Sequence, residues 1–241
     1  MIESGKTVNI QYKLNDKNGR PVNISSVIDE PMKFLGSEVS GTNTPLAMFA
    51  LIYSKLETKL ENISKSTLRG EHKLNIYSRY ALPSMRFYFS VHHMHKTHIE
   101  KLDALTRSHL KKWLSIQKHG VTDTAIFHPY MLSIKAPSQV YLEAHAGNYA
   151  LMRTKGDSLV NHTLDSRLER ESEWTNKYST ISAVHKMWQN NIENNNIQAP
   201  HEDDTYASKK NKTDIAKKAM KKSIQHETTS IWNTKVLKLT F

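Results

Sequence analysis

The apolar residues change their spacing near residue 45, from the alternation that is typical of strands to the longer period of helices. Before this point Val8, Ile10 and Tyr12 alternate with polar residues, and Asn18-Gly19 is a typical hairpin turn. We therefore predict a small antiparallel β segment in residues 1–45.

From Leu46 onward the apolar residues recur at steps of three and four, which is the spacing of one face of a helix. The first predicted helix ends by Gly70 and buries Phe49, Tyr53, Leu56, Leu60 and Ile63. A second runs to Pro83 and buries Leu74, Tyr77 and Ala81. A third opens with a capping box formed by Thr97 and Glu100. It ends by Gly120 and buries Ile99, Leu102, Leu105, Leu110, Trp113 and Leu114.

Further helical patterns cover residues 140–151, 159–168 and 181–192. Residues 191–214 are rich in Asn, Asp, Lys and Gln, which favours a mobile linker. Residues 215–241 follow as a basic helical segment, in which lysines lie beside Ile215, Ala219 and Ile224. The predicted fold class is mainly α, or α+β overall, with a helical region at 46–190 behind the small N-terminal β segment.

The charge of the chain indicates a polyanionic partner. Its 34 Lys and Arg outnumber its 23 Asp and Glu and give a net charge of +11, which is spread along the chain. A soluble protein that is basic without binding polyanions is the alternative. The absence of cysteine excludes disulfides and cysteine-based zinc sites, and no apolar run approaches the ~20 residues of a membrane span. We therefore expect an intracellular protein of the nucleus or cytoplasm that does not bind membranes.

Between Arg69 and Lys118, basic residues accompany the three predicted helices and are interleaved with aromatic residues. Cations neutralise phosphates, while aromatic rings pack in the core or stack on bases and sugars. The predicted nucleic-acid-binding residues are Arg69, Arg79, Arg86, Lys101, Arg107, Lys111, Lys112 and Lys118. Helical periodicity places Lys101, Lys111 and Lys112 outside the apolar stripe. The alternative is a solvated face around an ordinary core, and for the cluster as a whole we favour binding.

Two further groups of polar residues contain potential metal ligands. A dense cluster is formed by His92, His93, His95 and His98. No acidic residue completes a zinc signature there, so we favour surface histidines near phosphate. Glu202-Asp203-Asp204 contains paired aspartates, but it lies in the predicted linker, where loosely held carboxylates cannot fix two metals ~4 Å apart. We assign no catalytic residue, metal site or cofactor to the chain.

Three motifs in order carry a family resemblance. They are Pro31-Met-Lys-Phe-Leu-Gly36, Tyr80-Ala-Leu-Pro-Ser-Met85, and Lys101-Leu-Asp-Ala-Leu-Thr-Arg107 with Lys111-Lys-Trp-Leu114. Together they resemble the region after the active site in reverse transcriptases of non-LTR (LINE-type) retrotransposons, over roughly residues 25–155. The basic stretch ending Ile231-Trp-Asn-Thr-Lys-Val236 resembles the downstream segment of elements that carry a C-terminal restriction-like endonuclease.

In that family this region is the end of the palm and the thumb, a helical lobe that grips the template-primer duplex. The resemblance implies that residues 1–45 correspond to the end of the palm, with Lys33 to Gly36 at the primer-side turn, and that residues 46–190 form a thumb-like helical bundle. It places Leu102, Asp103, Arg107, Trp113 and Leu114 in the helical scaffold of the thumb. The family's fingers, aspartate-bearing palm motif, zinc knuckle and endonuclease are missing from this sequence.

The sequence therefore predicts a thumb-like fragment of a retrotransposon reverse transcriptase, an RNA-directed DNA polymerase, that grips RNA/DNA or DNA duplex through its phosphates. We expect no polymerase activity from the chain alone, because nucleotidyl transfer needs two metals held by positioned carboxylates. Mg²⁺ would belong to a catalytic palm elsewhere in a longer polyprotein. The rest of that polyprotein is also an expected partner. Two other classes stay open: a domesticated helical protein for protein or RNP assembly, and a histidine metalloenzyme.

Overall fold

The computed structural model describes short strands between residues 2 and 39, and then residues 45–117, 126–127, 132–155, 157–170, 180–194, 196–197 and 206–237. The chain divides into two compact units, Met1–Met48 and Phe49–Phe241. The described strands lie in the first unit, and nearly all of the described helical residues lie in the second.

Among the described residues of the first unit, three antiparallel pairs of very short strands occur. β1 (Ile2–Glu3) pairs with β2 (Lys6–Thr7), β3 (Lys13–Asn15) with β4 (Pro21–Asn23), and β5 (Met32–Phe34) with β6 (Ser37–Val39). In the third pair, Lys33 lies opposite Glu38. The alternation at residues 8–12 and the turn at residues 18–19 lie outside the described residues. The predicted β segment as a whole therefore stays a prediction.

The described residues after position 45 are mainly helical, as the apolar spacing predicted. The first helices are α1 (Pro45–Lys65), α2 (Gly70–Ile76), a π-helical turn (Tyr77–Ala81), α3 (Leu82–Val91) and α4 (Lys96–Trp113). They are followed by α5 (Pro137–Lys155), α6 (Ser158–Arg170), α7 (Thr180–Glu193) and α8 (Tyr206–Leu237). No helix in the described part of the chain is long and apolar enough to cross a membrane.

Helix α1 agrees with its predicted face. It begins at Pro45, because proline has no N–H to lose in the first turn of a helix. Phe49, Leu56 and Ile63 are buried at their predicted positions, whereas Tyr53 is half-buried. Ile52 is also fully buried, so the apolar face is wider than a single line of residues.

The second predicted helix does not stop at Pro83. α2, the π-helical turn and α3 follow one another without a break from Gly70 to Val91. In the wider turn, the Leu82 N–H donates to the carbonyl of Tyr77, five residues earlier. Proline cannot donate a backbone hydrogen bond, and here it follows the wider turn directly, at the beginning of α3. The prediction of a helix end was therefore wrong, although Tyr77 and Ala81 are buried as expected.

The start of α4 also differs from the prediction. The helix begins at Lys96 with His95 as its N-cap residue, and no side chain caps its first turn. Thr97 therefore lies inside the helix, and the capping box with Glu100 was wrong. The apolar face is confirmed at Ile99, Leu102, Leu110 and Trp113, which are buried, while Leu105 and Leu114 are half-buried.

The described residues of the second unit form two clusters of buried apolar side chains, and α5 contributes to both. Val140, Tyr141 and Ala144 pack in the first cluster with residues of α1 to α4. Tyr149 and Ala150 pack in the second cluster with residues of α7 and α8. Because buried residues occur around much of its circumference, α5 is the central helix of this unit.

Helix α8 is part of the second cluster. It begins at Tyr206, and α7 continues to Glu193, so the prediction of a linker was wrong for residues 191–193 and 206–214. Ala216, Met220 and Ile224 are fully buried, and the hydroxyls of Thr213 and Thr154 form a buried hydrogen bond of 2.7 Å between α8 and α5. Burial of small and apolar residues against α5 thus holds a segment whose composition favours disorder.

Candidate nucleic-acid interface

A groove with a volume of about 520 Å³ lies between α3, α5 and α8, and we call it the basic groove. Four cations line it: Arg86, Lys135, Lys217 and Lys221. They come from three separate parts of the sequence, and only the packing of α5 between α3 and α8 brings them together. Four cations in one concave surface attract a polyanion.

The scaffold of the basic groove is tied together by hydrogen bonds to backbone groups. The Tyr77 hydroxyl donates to the carbonyl of Lys135 at 3.2 Å, next to the beginning of α5. The Asp103 carboxylate accepts the Ser138 N–H at 2.9 Å, which caps the first turn of α5. The Asn148 side chain donates to the carbonyl of Ser90 at 3.0 Å and joins α5 to α3.

Asp103 and Tyr77 each contribute a hydrogen bond to this scaffold. Burial raises the pKa of Asp103, while its hydrogen bonds with Ser138 and the charge of Arg107 oppose that shift. Burial raises the pKa of Tyr77 as well, with a smaller contribution from the Asp103 charge, so the phenol stays neutral. Both residues lie behind the groove and position the segment that carries Lys135.

One carboxylate lies among the four cations. Both oxygens of Glu143 accept from Lys135 Nζ at 2.7 Å, and Glu143 itself is buried. Within the described residues, no carboxylate pairs with Arg86, Lys217 or Lys221. Three cations therefore remain to neutralise an anionic ligand, and Glu143 holds the fourth in position.

Helix α8 contributes one pair of lysines to the basic groove. Lys217 and Lys221 are one helical turn apart and therefore share a face. Lys218 and Lys222 occupy the neighbouring face of the same helix and line a different groove. The two pairs give the same charge to two adjacent surfaces.

Gly147 and the exposed ring of Phe87 also line the basic groove. Gly147, in the middle of α5, lines it, and a Cβ placed there would meet no atom within 4 Å. Phe87 also lines the groove and is 37% exposed, so its ring can stack on a base or a sugar. The groove can therefore contact both the phosphates and the planar groups of a nucleic acid.

The structure distributes the predicted binding residues over several places. Of the predicted binding residues that the structure describes, only Arg86 lies in the basic groove. Arg69 and Arg79 are exposed, and Arg69 precedes Gly70, which contacts the end of α4 near Lys112. Lys101 is exposed and lies 5.9 Å from the centre of the Phe49 ring.

The α4 part of the prediction needs one correction. Lys112 is exposed as expected, but Lys111 is only 9% exposed and does not lie outside the apolar stripe. It falls between Leu110 and Trp113, where the helix turns its core side toward α2 and α5. Arg107 is half-buried and its charge acts on Asp103. Lys118 lies outside the described residues.

Sequence reasoning missed part of the basic groove. Lys217 and Lys221 were recognised as members of a basic helix but not as partners of Arg86. Lys135 carries no local signal, because it is an isolated lysine just before the helix that begins at Pro137. The buried residues of α8 at steps of four were the one available sign that this helix packs on the core.

Two histidines of the predicted cluster stack on other rings. His98 stacks on Phe49 with ring centres 4.3 Å apart, and His93 stacks on His145 at 4.8 Å. Burial lowers the pKa of both His98 and His145. Among the described residues, no three His, Asp or Glu side chains converge as a metal site. Residues 202–204 lie outside the described ones.

A second polar network joins α5, α6 and α7. Arg153 pairs with Asp165, and its Nε donates to the Tyr149 hydroxyl at 3.0 Å. The same hydroxyl lies 2.7 Å from Nδ1 of His185. Burial raises the pKa of Tyr149, which disfavours a phenolate nucleophile, and the network serves to connect the three helices.

No family model, curated protein or solved structure matches the chain.

Proposed function

We propose that this chain binds nucleic acid through its phosphates, with the basic groove as the main contact surface. The observation that carries the proposal is the convergence of Arg86, Lys135, Lys217 and Lys221 in one groove with a single buried carboxylate. Phosphate neutralisation supplies affinity without reading sequence, so we expect binding with little sequence preference.

The proposed ligand is an RNA/DNA or DNA duplex, gripped as the thumb of a reverse transcriptase grips a template and primer. This part of the proposal is supported by the ordered motifs that resemble LINE-type reverse transcriptases. Two of them lie beside the groove's scaffold: Tyr80–Met85 leads into the helix of Arg86, and Lys101–Arg107 contains Asp103, which caps α5. In a longer polyprotein the chain would position a duplex for a catalytic palm.

The test is a titration of a fluorescein-labelled RNA/DNA duplex at several salt concentrations. We expect log Kd to depend linearly on log salt, because bound cations release condensed counterions from the duplex. The variant Lys217→Gln/Lys221→Gln should flatten that slope by about one unit for each lysine removed. The matched control is Lys218→Gln/Lys222→Gln, which removes the same charge from the neighbouring face of α8.

Comparison of the two variants decides the assignment. A slope that falls for Lys217→Gln/Lys221→Gln and changes little for the control supports the basic groove. Equal slopes for wild type and Lys217→Gln/Lys221→Gln would contradict it. A third variant, Lys101→Gln/Lys112→Gln, tests the exposed cations of α4 that the sequence predicted. If that variant alone loses affinity, the duplex lies along α4 instead.

A further inference from the structure

A second groove follows the neighbouring face of α8, where this helix meets α7, and we call it the α7–α8 groove. It has a volume of about 1080 Å³, roughly twice that of the basic groove. Residues from Ala183 to Asn196 line one side and residues from Ile215 to Ser230 line the other. At 1.5 Å per residue, the lining residues of α8 extend over about 22 Å, or roughly four turns of a helix, and those of α7 from Ala183 to Asn191 extend over about 12 Å.

The α7–α8 groove combines apolar and basic side chains. Its apolar residues are Ala183, Met187, Ile215 and Ala219. Ile215 is 47% exposed, on a helix whose other described isoleucine, Ile224, is fully buried. Met187 is buried, so Ile215 is the large apolar side chain that the described lining exposes to a ligand.

Lysines accompany this apolar surface from both helices. Lys186 comes from α7, whereas Lys218 and Lys222 come from α8. All three are exposed, and none pairs with a carboxylate within the described residues. Glu227 is the single carboxylate among the lining residues, so the groove has an excess of positive charge.

The helix pair that forms the groove is firmly joined. Asn191 is buried, and its Nδ2 donates to the Ser223 hydroxyl of α8 at 2.8 Å and to the Met187 carbonyl of α7, also at 2.8 Å. The groove therefore lies along two helices that a buried side chain joins.

The lining distinguishes this groove from the basic groove. The basic groove has Phe87 and small residues beside its cations, which suits phosphates and bases. The lining of the α7–α8 groove contains no aromatic ring among the described residues except the imidazole of His226, and its lysines lie beside aliphatic side chains. Aliphatic contacts flanked by lysines complement an apolar stripe flanked by Asp or Glu.

We propose that the α7–α8 groove binds an acidic amphipathic helix of a partner protein. The partner helix would lay apolar residues at positions i, i+3, i+4 and i+7 on Ile215 and its aliphatic neighbours. Carboxylates on the flanks of that stripe would pair with Lys186, Lys218 and Lys222. The proposal is independent of nucleic-acid binding at the basic groove, because the two grooves use different lysines of α8.

The probe for the test is a fluorescein-labelled peptide of about 16 residues, or roughly four helical turns, with leucines at helical spacing and glutamates on both flanks. Its control is a peptide of identical composition whose order destroys the apolar stripe. We expect micromolar binding of the first peptide to the full chain, measured by fluorescence anisotropy. The scrambled peptide should bind at least about tenfold more weakly, because it keeps the charge and loses the apolar contact.

Three variants locate the peptide. Lys218→Glu/Lys222→Glu should weaken binding by at least about tenfold, and Ile215→Gln by about five- to tenfold. The matched control Lys217→Glu/Lys221→Glu reverses the same charge on the neighbouring face and should weaken binding by less than about threefold. Circular dichroism spectra that match the wild type establish that each variant is folded.

Several results would overturn the proposal. They are no binding of the amphipathic peptide to the wild type, equal binding of the scrambled peptide, and equal loss in the two charge-reversal variants. The same variants are also titrated with the RNA/DNA duplex. If Lys218→Glu/Lys222→Glu lowers duplex affinity as much as Lys217→Glu/Lys221→Glu does, the α7–α8 groove is a nucleic-acid surface and the acidic-helix assignment is wrong.

Discussion

Substitution of Gly147 separates the stability of the protein from the proposed activity of the basic groove. Glycine in the middle of a helix is less favourable than alanine by about 1 kcal/mol, because it loses more backbone entropy on folding. A Cβ at Gly147 would meet no atom within 4 Å, so alanine introduces no steric cost. Gly147→Ala should therefore raise the free energy of unfolding by about 1 kcal/mol, or the Tm by about 2–4 °C.

Longer side chains at the same position extend into the basic groove. Gly147→Gln and Gly147→Glu have nearly the same size, but only glutamate adds a negative charge beside Arg86, Lys217 and Lys221. Both should leave the protein at least as stable as the wild type, because both residues form helices better than glycine does. Glutamate should weaken duplex binding about tenfold and lower the salt dependence by about one contact. Glutamine measures the steric part of that loss.

The assays are urea unfolding followed by circular dichroism and the salt titration of labelled duplex. The expected pattern is unusual, since the variant that binds least well is no less stable than the wild type. A lower unfolding free energy for Gly147→Ala would show that the helix is crowded at this position. Wild-type affinity and salt slope for Gly147→Glu would show that the duplex does not enter the basic groove.

Three further predictions concern the packing of the second unit, each measured by urea unfolding. Trp113→Ala should cost about 3–5 kcal/mol, because the ring is buried and its Nε1 donates to the Ser64 hydroxyl at 2.8 Å; a loss below about 1 kcal/mol would contradict this. Gly70→Ala should destabilise by about 1–3 kcal/mol, opposite in sign to Gly147→Ala, because its Cβ would overlap the Trp113 carbonyl oxygen; an unchanged midpoint would refute that contact. Burial, with a smaller contribution from His93, lowers the pKa of His145 to about 4, so the unfolded chain takes up the proton at higher pH than the folded protein. Protonation of His145 in the unfolded chain should therefore lower the free energy of unfolding by about 2 kcal/mol between about pH 7 and pH 5. His145→Phe should remove this part of the pH dependence.

The apolar spacing determined most of the helices without any tertiary information. The buried residues of α1 and α4 recur at steps of three and four, because one stripe of each helix faces the same core throughout its length. Such a pattern is local, so it can be recognised in the sequence without knowing what the helix packs against. The same holds for the net positive charge, which indicates a polyanion but not where it binds.

Local signals failed where contacts from elsewhere in the chain compete with them. Pro83 is a strong helix breaker, but the π-helical turn before it lets the helix continue to Val91. The polar segment 206–214 looks like a linker, yet it is helical because α8 buries one face against α5. Lys111 was placed in solvent by periodicity, whereas the neighbours of α4 cover it.

The grooves depend entirely on the tertiary structure. Arg86 and Lys221 are far apart in sequence, and no local pattern relates them; α5 brings them to one surface because it packs against α3 on one side and α8 on another. The same helix packing turns Lys217 and Lys218, adjacent in sequence, toward different grooves, since successive residues of a helix point about 100° apart. The sequence determined that this chain carries charge on amphipathic helices. The order in which those helices pack decided which charges act together.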